Sequence, residues 1–280
     1  MKSYDNLIKD HYDKVAISEK DSPSSTMADS IIRETETKFI EDQVEKYTAE
    51  QNAEYSINGG YANGPGKNGD YSILDVGCGN GHTLYRLNKR FPEIKMRGLE
   101  FNDSLRTIAK ERLESLNVIV EKGDIREFDS SKSMSSDIVI SQRVLINLLD
   151  EGDQKKALNN LIDITSPGGL LIFIESFKDG LEKVNEARHE FGLSELPPAH
   201  HNLYLNQDFF HHPSIKIYDN DSEFLLSKHY FVSRVLHEFF LQKTGLDFKR
   251  NSNFVKFFSG SLQPAGDYSP IRLYAFRKSL

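Results

Sequence analysis

Three glycines that follow a short apolar run are the residues whose spacing most directly indicates chemistry. Residues Ile73–Val76 lead into Gly77, Gly79 and Gly81, and a helical pattern follows over residues 83–91. Glycine permits positive φ and a close approach of backbone to ligand, and the start of a helix presents free N–H groups. The stretch therefore predicts a strand, a tight turn and a helix that together bind a nucleotide.

An acidic residue follows at the distance that such a site requires. Glu100 comes 19 positions after Gly81, at the end of the next apolar run. One carboxylate has two acceptor oxygens, so it can bind both hydroxyls of an adenosine ribose. A dinucleotide-binding fingerprint would read Gly-x-Gly-x-x-Gly, whereas here the third glycine comes one residue earlier. The spacing indicates an adenosine-containing ligand and leaves its identity open.

A proline-fixed loop at residues 197–204 carries candidate groups for proton transfer. His201 is the first candidate for a general base, because a histidine with its ordinary pKa of about 6.5 titrates near neutrality. A structural histidine bonded to backbone is the alternative. Further candidates for the base are Glu175, Tyr204 and His229.

Metal ligation and nucleophilic catalysis have less support in the sequence. His200-His201 and His211-His212 are adjacent pairs, and neighbouring side chains in an extended loop tend to point apart. Metal-binding histidines on a helix instead share one face at i, i+4 spacing. Cys78 is the single cysteine and lies inside the glycine turn, where a small side chain is the simpler explanation. We therefore expect neither a bound metal nor a cysteine nucleophile.

Strands and helices must alternate to position these residues. Strands are predicted at 71–76, 95–100, 117–121, 137–142 and 169–175, and helices at about 82–91, 103–115 and 153–165. This order predicts a doubly wound α/β sheet of parallel strands joined by helical crossovers. Ligands bind such sheets at the carboxyl ends of the strands, which is where the acids and polar residues of this sequence fall.

The first 70 residues precede this core and differ from it in composition. Short helices are predicted between Tyr4 and Tyr47, with a break at residues 21–25 and a new helix near Thr26. Glycine-rich residues 55–70 favour a linker. We expect residues 1–70 to form a lid over the glycine turn, with Arg33 and Tyr12 facing the ligand. A solubilising extension is the alternative.

Residues 71–176 are expected to form the cofactor-binding core, and residues 177–280 the substrate-binding region with the last two strands. These strands are predicted at Ser222–Val232 and Ile271–Arg277, with a helix at Val235–Leu241 and irregular structure over Thr244–Pro270. Aromatic residues are frequent after residue 200, and aromatic walls with a few polar groups suit a small-molecule pocket.

The composition sets limits on the class of protein. A chain of 280 residues with 38% hydrophobic residues can bury a large core. A formal net charge of −7 argues against a nucleic-acid partner. The sequence has one cysteine, no secretory leader pattern and no apolar run of membrane-spanning length. We therefore expect a soluble, cytoplasmic protein with no membrane insertion.

Four ordered motifs between residues 71 and 176 resemble those of the class I S-adenosylmethionine-dependent methyltransferases. The motifs are Leu74–Gly81, Gly98-Leu99-Glu100, Gly123-Asp124-Ile125 and Pro167-Gly168-Gly169. The resemblance implies a seven-stranded, mostly parallel Rossmann-like sheet whose last pair of strands is antiparallel. It also implies that S-adenosylmethionine is the cofactor and S-adenosylhomocysteine the product.

The resemblance implies roles for individual residues. Asp75, with Gly77 and Gly79, would lie beside the methionine part and the ribose, and Glu100 would bind the ribose hydroxyls. At the other end of the cofactor, Asp124 would bind the adenine amino group.

The remaining implied contacts are apolar or lie near the sulfonium. Phe101 and Ile125 would sandwich the adenine, with the Ile125 backbone beside Asp124. Ser141 and Arg143 follow the fourth strand, where this family places residues around the sulfonium. For Arg143, an ion pair with a surface carboxylate such as Asp150 or Glu151 is the alternative.

Three further segments are similar to a group of bacterial methyltransferases found with surface-polysaccharide and nucleotide-sugar biosynthesis. They are residues 143–149, His201–Tyr204 and His229–Arg234. This resemblance implies that the acceptor is an oxygen or nitrogen of a small, sugar-linked molecule. The Asn/Asp-Pro-Pro-Tyr/Phe tetrapeptide of many nucleic-acid amino methyltransferases is missing, which disfavours DNA. A NAD-dependent reductase and a non-catalytic binding protein are the alternative functions.

Overall fold

A seven-stranded sheet forms the centre of the molecule. The computed structural model describes residues 4–19, 29–57, 70–127, 135–219, 221–245, 252–263 and 266–280. The strands are β1 (Ser72–Val76), β2 (Lys95–Glu100), β3 (Val118–Lys122), β4 (Ser136–Gln142), β5 (Thr165–Ser176), β6 (Ile215–Asp219) and β7 (Ile271–Lys278). Their order is β3-β2-β1-β4-β5-β7-β6, and β7 runs antiparallel to both of its neighbours. This topology confirms the predicted doubly wound, mostly parallel sheet.

Helices cover both faces of the sheet. They are α1 (Asp5–Glu19), α2 (Ser30–Ile57), α3 (His82–Arg90), α4 (Asp103–Leu113), α5 (Glu151–Asp163), α6 (Lys178–Glu190), α7 (Ser227–Phe231), α8 (His237–Thr244) and α9 (Asn253–Ser261). A π-helical turn, Val232–Leu236, joins α7 to α8. Within the described ranges, no helix is both long enough and apolar enough to cross a membrane.

The central strands are apolar because both of their faces are covered. Residues Ile138–Ser141 of β4 and Gly169–Ser176 of β5 are buried without interruption, as in parallel sheets with helices on each side. Polar side chains begin the helices that follow two of the strands. Asn102 accepts a hydrogen bond from Leu105 N (2.9 Å), and Asp150 accepts one from Asp153 N (2.9 Å).

The helix α2 is part of the hydrophobic core. One face of it is buried in the same cluster as β1, β4 and β5, through Ile32, Phe39, Ile40, Val44 and Tyr47. The Tyr47 hydroxyl also donates to Gly168 O (3.1 Å). With 28 residues, α2 is much longer than the short helices predicted here. The expected break at residues 21–25, the start near Thr26 and the linker residues 58–69 lie outside the described residues.

The predicted strand at Ser222–Val232 is wrong, and the sixth strand is Ile215–Asp219. Aromatic and β-branched residues suggested a strand, but residues 227–244 are helical. The predicted helix at Val235–Leu241 lies within this helical stretch. Buried Leu226, His229 and Val232 follow one another at three-residue spacing, which places them on one helix face. Tertiary packing on that face overrides the local strand propensity.

The segment Thr244–Pro270, expected to be irregular, contains the helix α9. Ser252 caps this helix by accepting a hydrogen bond from Val255 N (3.4 Å). Ser259 of α9 is buried, and its hydroxyl lies 3.0 Å from His229 Nδ1. The helix is therefore held by contacts with α7 that are distant in sequence.

Candidate active site

A cleft with about 1020 Å³ of empty space, part of which is open to solvent, lies at the carboxyl ends of β1, β2 and β4. Nine of the ten predicted cofactor residues line it: Arg33, Asp75, Gly77, Gly79, Glu100, Phe101, Asp124, Ile125 and Arg143. The edge of the sheet thus brings together residues from five separate segments of the chain.

The turn after β1 requires glycine for two reasons. Gly77 has φ of 69°, in the left-handed region, and its N–H donates to Leu99 O (2.7 Å). A Cβ placed on Gly77 would come within 2.3 Å of Val144 Cγ2. The backbone of this turn is therefore held tightly between the ends of β2 and β4, and it forms the floor of the cleft.

Glu100 fixes the shape of the glycine turn from the neighbouring strand. Its carboxylate accepts hydrogen bonds from Gly79 N and from Asn102 N, each at 2.7 Å. Burial raises the pKa of Glu100, and these two amide donors oppose that shift. A carboxylate can accept about four hydrogen bonds, so Glu100 retains capacity to bind ribose hydroxyls.

Opposite charges are buried at the β1 end of the cleft. Asp75 is 2% exposed, and burial raises its pKa to about 7, with the positive charge of Arg33 opposing the shift. Burial also lowers the pKa of Arg33 to about 10, and Arg143 lowers it further. Arg33 Nε is buried with no hydrogen-bond partner among the described residues. An acid and an incompletely bonded guanidinium therefore face the same space.

Arg143 adopts an unusual backbone conformation at the end of β4. With φ of 57°, it is the one described non-glycine residue with positive φ. Its guanidinium forms a salt bridge with Glu36 of α2, which is fully buried and also accepts from Gln142 Nε2 (2.7 Å). The partner of Arg143 is thus a buried carboxylate of the N-terminal segment, and the predicted pairing with Asp150 or Glu151 is wrong.

At the β3 end of the cleft, Asp124 belongs to a buried ion network. Arg126 Nε donates to both Asp124 oxygens (2.9 and 3.0 Å), and Arg126 Nη1 donates to Asp5 Oδ1 (2.9 Å). The same Nη1 donates to the Tyr4 hydroxyl (3.1 Å). Since Tyr4 and Asp5 belong to the start of the N-terminal helix, this network ties α1 across the end of the cleft that the resemblance assigns to adenine.

Ser141 and Glu175 lie beneath the cleft rather than in its lining. Both side chains are fully buried. The Glu175 carboxylate accepts hydrogen bonds from the backbone amides of Val144 (3.0 Å), Leu145 (3.1 Å) and Ile146 (3.2 Å). Its oxygens are therefore occupied in supporting the loop after β4, which disfavours Glu175 as a base.

We expect Glu175→Gln to destabilise the fold because the amide would replace one acceptor oxygen with a donor facing backbone N–H groups. Leaving buried amides unsatisfied costs about 1–3 kcal/mol each, so a loss of roughly 2–4 kcal/mol is expected in urea unfolding. A catalytic base would give the opposite pattern, with unchanged stability and a large loss of kcat.

His229 is likewise held inside the fold. Its Nε2 lies 2.9 Å from Asp29 Oδ2, and its Nδ1 is bonded to Ser259. Asp29 precedes α2 and accepts from Ile31 N (3.2 Å), so His229 links α2 to the C-terminal helices. Both ring nitrogens are engaged, which disfavours His229 as a base. Tyr204 is absent from the lining of the cleft, and burial raises its pKa.

The loop of residues 197–204, here called the histidine loop, lies beside the cleft and contacts the N-terminal helix α1. His201 stacks on His11, with ring centroids 3.7 Å apart, and His200 is 5.0 Å from His201. Leu203 N donates to Ile146 O (2.7 Å), which docks the loop next to the segment after β4. The expectation that adjacent histidines point apart is wrong for this pair, because residues 200 and 201 form a turn rather than an extended strand.

Tyr12, which the lid hypothesis expects to face the ligand, lines the cleft, as does Gln142 at the end of β4. The Tyr12 hydroxyl accepts from Asn147 Nδ2 (2.7 Å). Four other residues at or near the start of α1 also line the cleft: Tyr4, Asp5, Ile8 and Lys9. These four residues had no clear signal in the sequence, whereas the polar residues at the end of β4 did, because the ends of parallel strands are expected to face the ligand.

Comparison with known proteins identifies the family. Residues 67–212 match a family model described as a methyltransferase domain. The chain belongs to this family. Its sheet order and its glycine turn are those that the resemblance to the S-adenosylmethionine-dependent class implies.

Individual relatives of this methyltransferase are distant. The malonyl-[acyl-carrier protein] O-methyltransferase of Bacillus anthracis is 25% identical over 148 residues, which are 51% of this chain and 53% of that protein. Malonyl-[acyl-carrier protein] O-methyltransferase 1 of Ilyobacter polytropus is 32% identical over 111 residues, 39% of each chain. The chain therefore spans about half or less of the length of these curated relatives.

One solved structure is similar over nearly the whole methyltransferase. Magnesium protoporphyrin IX methyltransferase from Synechocystis PCC 6803, with bound S-adenosylhomocysteine, gives a TM-score of 0.51 at 12% identity. The similarity covers 98% of this chain and 99% of that chain. At this identity it concerns the fold alone, including the helices that precede the sheet.

The residues present fit the cofactor. S-adenosylmethionine carries an amino-acid group with both charges, a ribose diol and an adenine, and the cleft offers matching groups in that order. Arg33 Nε lacks a partner among the described residues and suits a carboxylate, and Asp75 suits an ammonium. Glu100 suits the diol, and the apolar contacts of Ile125 suit the adenine ring.

Proposed function

We propose that this protein transfers a methyl group from S-adenosylmethionine to a nitrogen or oxygen of a small, sugar-linked acceptor. The observation that carries the proposal is the order of charges along one cleft. Arg33 and Asp75 lie at the β1 end, Glu100 follows on β2, and Asp124 comes after β3. This order is complementary to the zwitterion, diol and adenine of the cofactor.

Orientation is the main contribution that we assign to the chain. Bound S-adenosylmethionine supplies an already activated methyl group, so the protein has to hold the acceptor in line and exclude water. Tyr12 and Asn147 lie on the side of the cleft nearest to Arg143 and are bonded to each other. Burial raises the pKa of Tyr12, so its hydroxyl stays protonated and can donate to an acceptor.

The position of the candidate bases favours nitrogen as the methylated atom. None of His201, Glu175, Tyr204 and His229 is among the described residues that line the cleft. Burial lowers the pKa of His201 to about 4, and the nearby His11 and His200 lower it further, which makes His201 a weak base. An amine can lose its proton to water before it binds, whereas a hydroxyl requires a base at the moment of transfer. An amino sugar is therefore the first acceptor that we propose.

A malonyl thioester is the second candidate, because the curated relatives described above are named for that acceptor. A carboxylate acceptor needs a cation near the methyl group. Arg143 is already paired with Glu36, so the charge available to such an acceptor is reduced. The Arg143–Glu36 pair can hydrogen-bond a neutral amine or hydroxyl, because neither charged group then loses its partner.

A transfer assay with isotopically labelled S-adenosylmethionine tests the proposal directly. The acceptor panel contains amino sugars and their nucleotide-linked forms, the matching sugars without the amine, and a malonyl thioester. We expect methylation of an amino sugar and none of its hydroxyl counterpart. Label on the malonyl thioester alone would support the second candidate, and cofactor binding without transfer to any acceptor would favour a binding protein.

Cofactor affinity should depend on pH through Asp75. Since its pKa is raised to about 7 in the free protein, Asp75 binds a proton below that pH, whereas a bound ammonium requires the carboxylate form. The dissociation constant of S-adenosylhomocysteine should therefore rise by about tenfold for each pH unit below about 7. Calorimetry from pH 5 to pH 8 measures it, and Asp75→Asn should remove the slope.

Cofactor affinity should rise with pH, whereas the free energy of unfolding of the free protein should fall as the pH rises. A carboxyl group whose pKa is higher in the folded than in the unfolded chain stabilises the fold at low pH. For Asp75 this contribution is complete below about pH 4 and is lost as the pH rises to about 7. A cofactor affinity that is independent of pH would contradict the contact between Asp75 and the ammonium.

A further inference from the structure

A cluster of three histidines joins the N-terminal helix to the loop before β6. His11 lies on α1, and His200 and His201 form the turn that follows the two prolines. One nitrogen of each ring can be chosen so that all three lie within 4.8 Å of one another. The residues are far apart in sequence, and the fold brings them together beside the cofactor cleft.

We propose that His11, His200 and His201 bind a divalent transition-metal ion, with Zn²⁺ as the first candidate, and that this ion fastens α1 to the histidine loop. Imidazole nitrogen is a preferred ligand of Zn²⁺, and three histidines with one open position form a known type of zinc site. The proposal does not depend on the identity of the methyl acceptor.

The three rings already lie close to the spacing of metal ligands. In a tetrahedral site with Zn–N bonds of about 2.0–2.1 Å, the ligand nitrogens are roughly 3.4 Å apart. The chosen nitrogens lie within 4.8 Å of one another, so binding requires them to come closer, and we expect rotation of the exposed or half-buried rings to bring this about. His11 and His201 now stack with 20° between their ring planes, and His200 meets both rings edge-on.

A second observation indicates a missing partner. The Nδ1 atom of His201 is buried and has no hydrogen-bond partner among the described residues. A buried polar nitrogen without a partner is costly, so it indicates a ligand that the protein alone does not provide. Burial and the neighbouring rings also lower the pKa of His11 and His201, so both are neutral at pH 7 and have a free lone pair.

The position of the cluster indicates what the ion would do. His11 adjoins Tyr12, which lines the cofactor cleft, and His201 is two residues from Leu203, which is bonded to Ile146. Near the cluster, α1 is also held by a hydrogen bond between Tyr12 and Asn147 and by Asp13, which accepts from Asn102 Nδ2 (2.9 Å) and Ser104 Oγ (2.8 Å). A bound ion would add a link that holds α1 over the cleft and slows its opening.

Metal titration of the full, tag-free chain after chelator treatment tests the proposal. Calorimetry with ZnCl₂ should find one ion per chain, and Co²⁺ should give the visible absorption bands of a tetrahedral, nitrogen-ligated ion. His11→Ala, His200→Ala and His201→Ala should each weaken Zn²⁺ binding by more than the roughly 10–100-fold that loss of a supporting residue costs. Because the three rings are exposed or half-buried, circular dichroism should show that all variants fold.

The other adjacent histidine pair provides a matched control. His212 Nδ1 accepts from Ser214 N (3.2 Å), and the pair lies outside the cluster, so a His211→Ala/His212→Ala variant should bind Zn²⁺ as the unmodified chain does. Hydrogen exchange of the α1 amides, measured without cofactor, should slow on addition of Zn²⁺ in the unmodified chain and not in His11→Ala. Absence of Zn²⁺ binding, binding that survives removal of all three histidines, or unchanged exchange in α1 would overturn the proposal.

Discussion

Gly77→Ala should abolish useful binding of the cofactor. A non-glycine residue in the left-handed region costs about 1–2 kcal/mol, and an extra methyl group in a packed site costs about 1–3 kcal/mol. Both apply here, because φ is 69° and the new Cβ would lie 2.3 Å from Val144 Cγ2. The turn would have to move, and we expect the affinity for S-adenosylhomocysteine to fall about 100-fold or more in calorimetry.

Substitution of a second glycine tests the effect of positive φ without the steric conflict. Gly192 has φ of 66°, but a Cβ placed there meets nothing within 4 Å. Gly192→Ala should therefore lower the thermal midpoint slightly and leave cofactor affinity unchanged. In Gly77→Ala/Val144→Ala the steric conflict is relieved and the strained φ is kept, so affinity should recover in part. If Gly77→Ala bound the cofactor as tightly as Gly192→Ala, the glycine turn would not be the floor of the binding site.

Arg33→Met should weaken cofactor binding without destabilising the free protein. Arg33 is 6% exposed and its Nε has no partner within the described part of the chain, so an apolar side chain of similar length removes a buried charge. Loss of a charge-assisted hydrogen bond to the carboxylate costs about 1.5–3 kcal/mol, and S-adenosylhomocysteine should bind roughly 10–100-fold more weakly. The thermal midpoint of the free protein should stay the same or rise.

The choice of ligand makes the Arg33 prediction specific. Adenosine lacks the amino-acid part of the cofactor, so its affinity should be equal in Arg33→Met and in the unmodified protein. Arg86 serves as the control position, since its side chain is 31% exposed and pairs with the exposed Glu34 and the buried Glu41. Arg86→Met should leave the binding of both ligands unchanged. Equal losses for adenosine and S-adenosylhomocysteine in Arg33→Met would contradict a contact with the carboxylate.

The cofactor-binding edge of the sheet was accessible from the sequence for a physical reason. Parallel strands joined by helices bring their carboxyl ends to one edge, so Asp75, Glu100 and Asp124 had to lie near one another once the strands were recognised. The predicted sheet and its antiparallel last strand are confirmed. Ser141 differs from the other predicted cofactor residues, because a strand alternates its faces and this one turns inward, beneath the cleft.

The helices outside the sheet were not accessible in the same way. A helical pattern shows which face is apolar but not what covers it, so nothing in the sequence placed Tyr12 beside Asn147 or His11 on His201. His229 was a reasonable candidate for catalysis until its partner Asp29, far away in sequence, was known. These contacts depend on long-range packing, and they decide which polar groups are available for chemistry.

Isothermal calorimetry with S-adenosylhomocysteine and NAD, on the unmodified chain and on Arg33→Met, tests the central claim most directly. The claim is that this cleft binds the cofactor with its amino-acid end at Arg33 and Asp75. We predict tight binding of S-adenosylhomocysteine, no measurable binding of NAD, and a loss of roughly 10–100-fold in Arg33→Met. Binding of NAD in preference to S-adenosylhomocysteine, or an affinity that does not depend on Arg33, would contradict this assignment of the site.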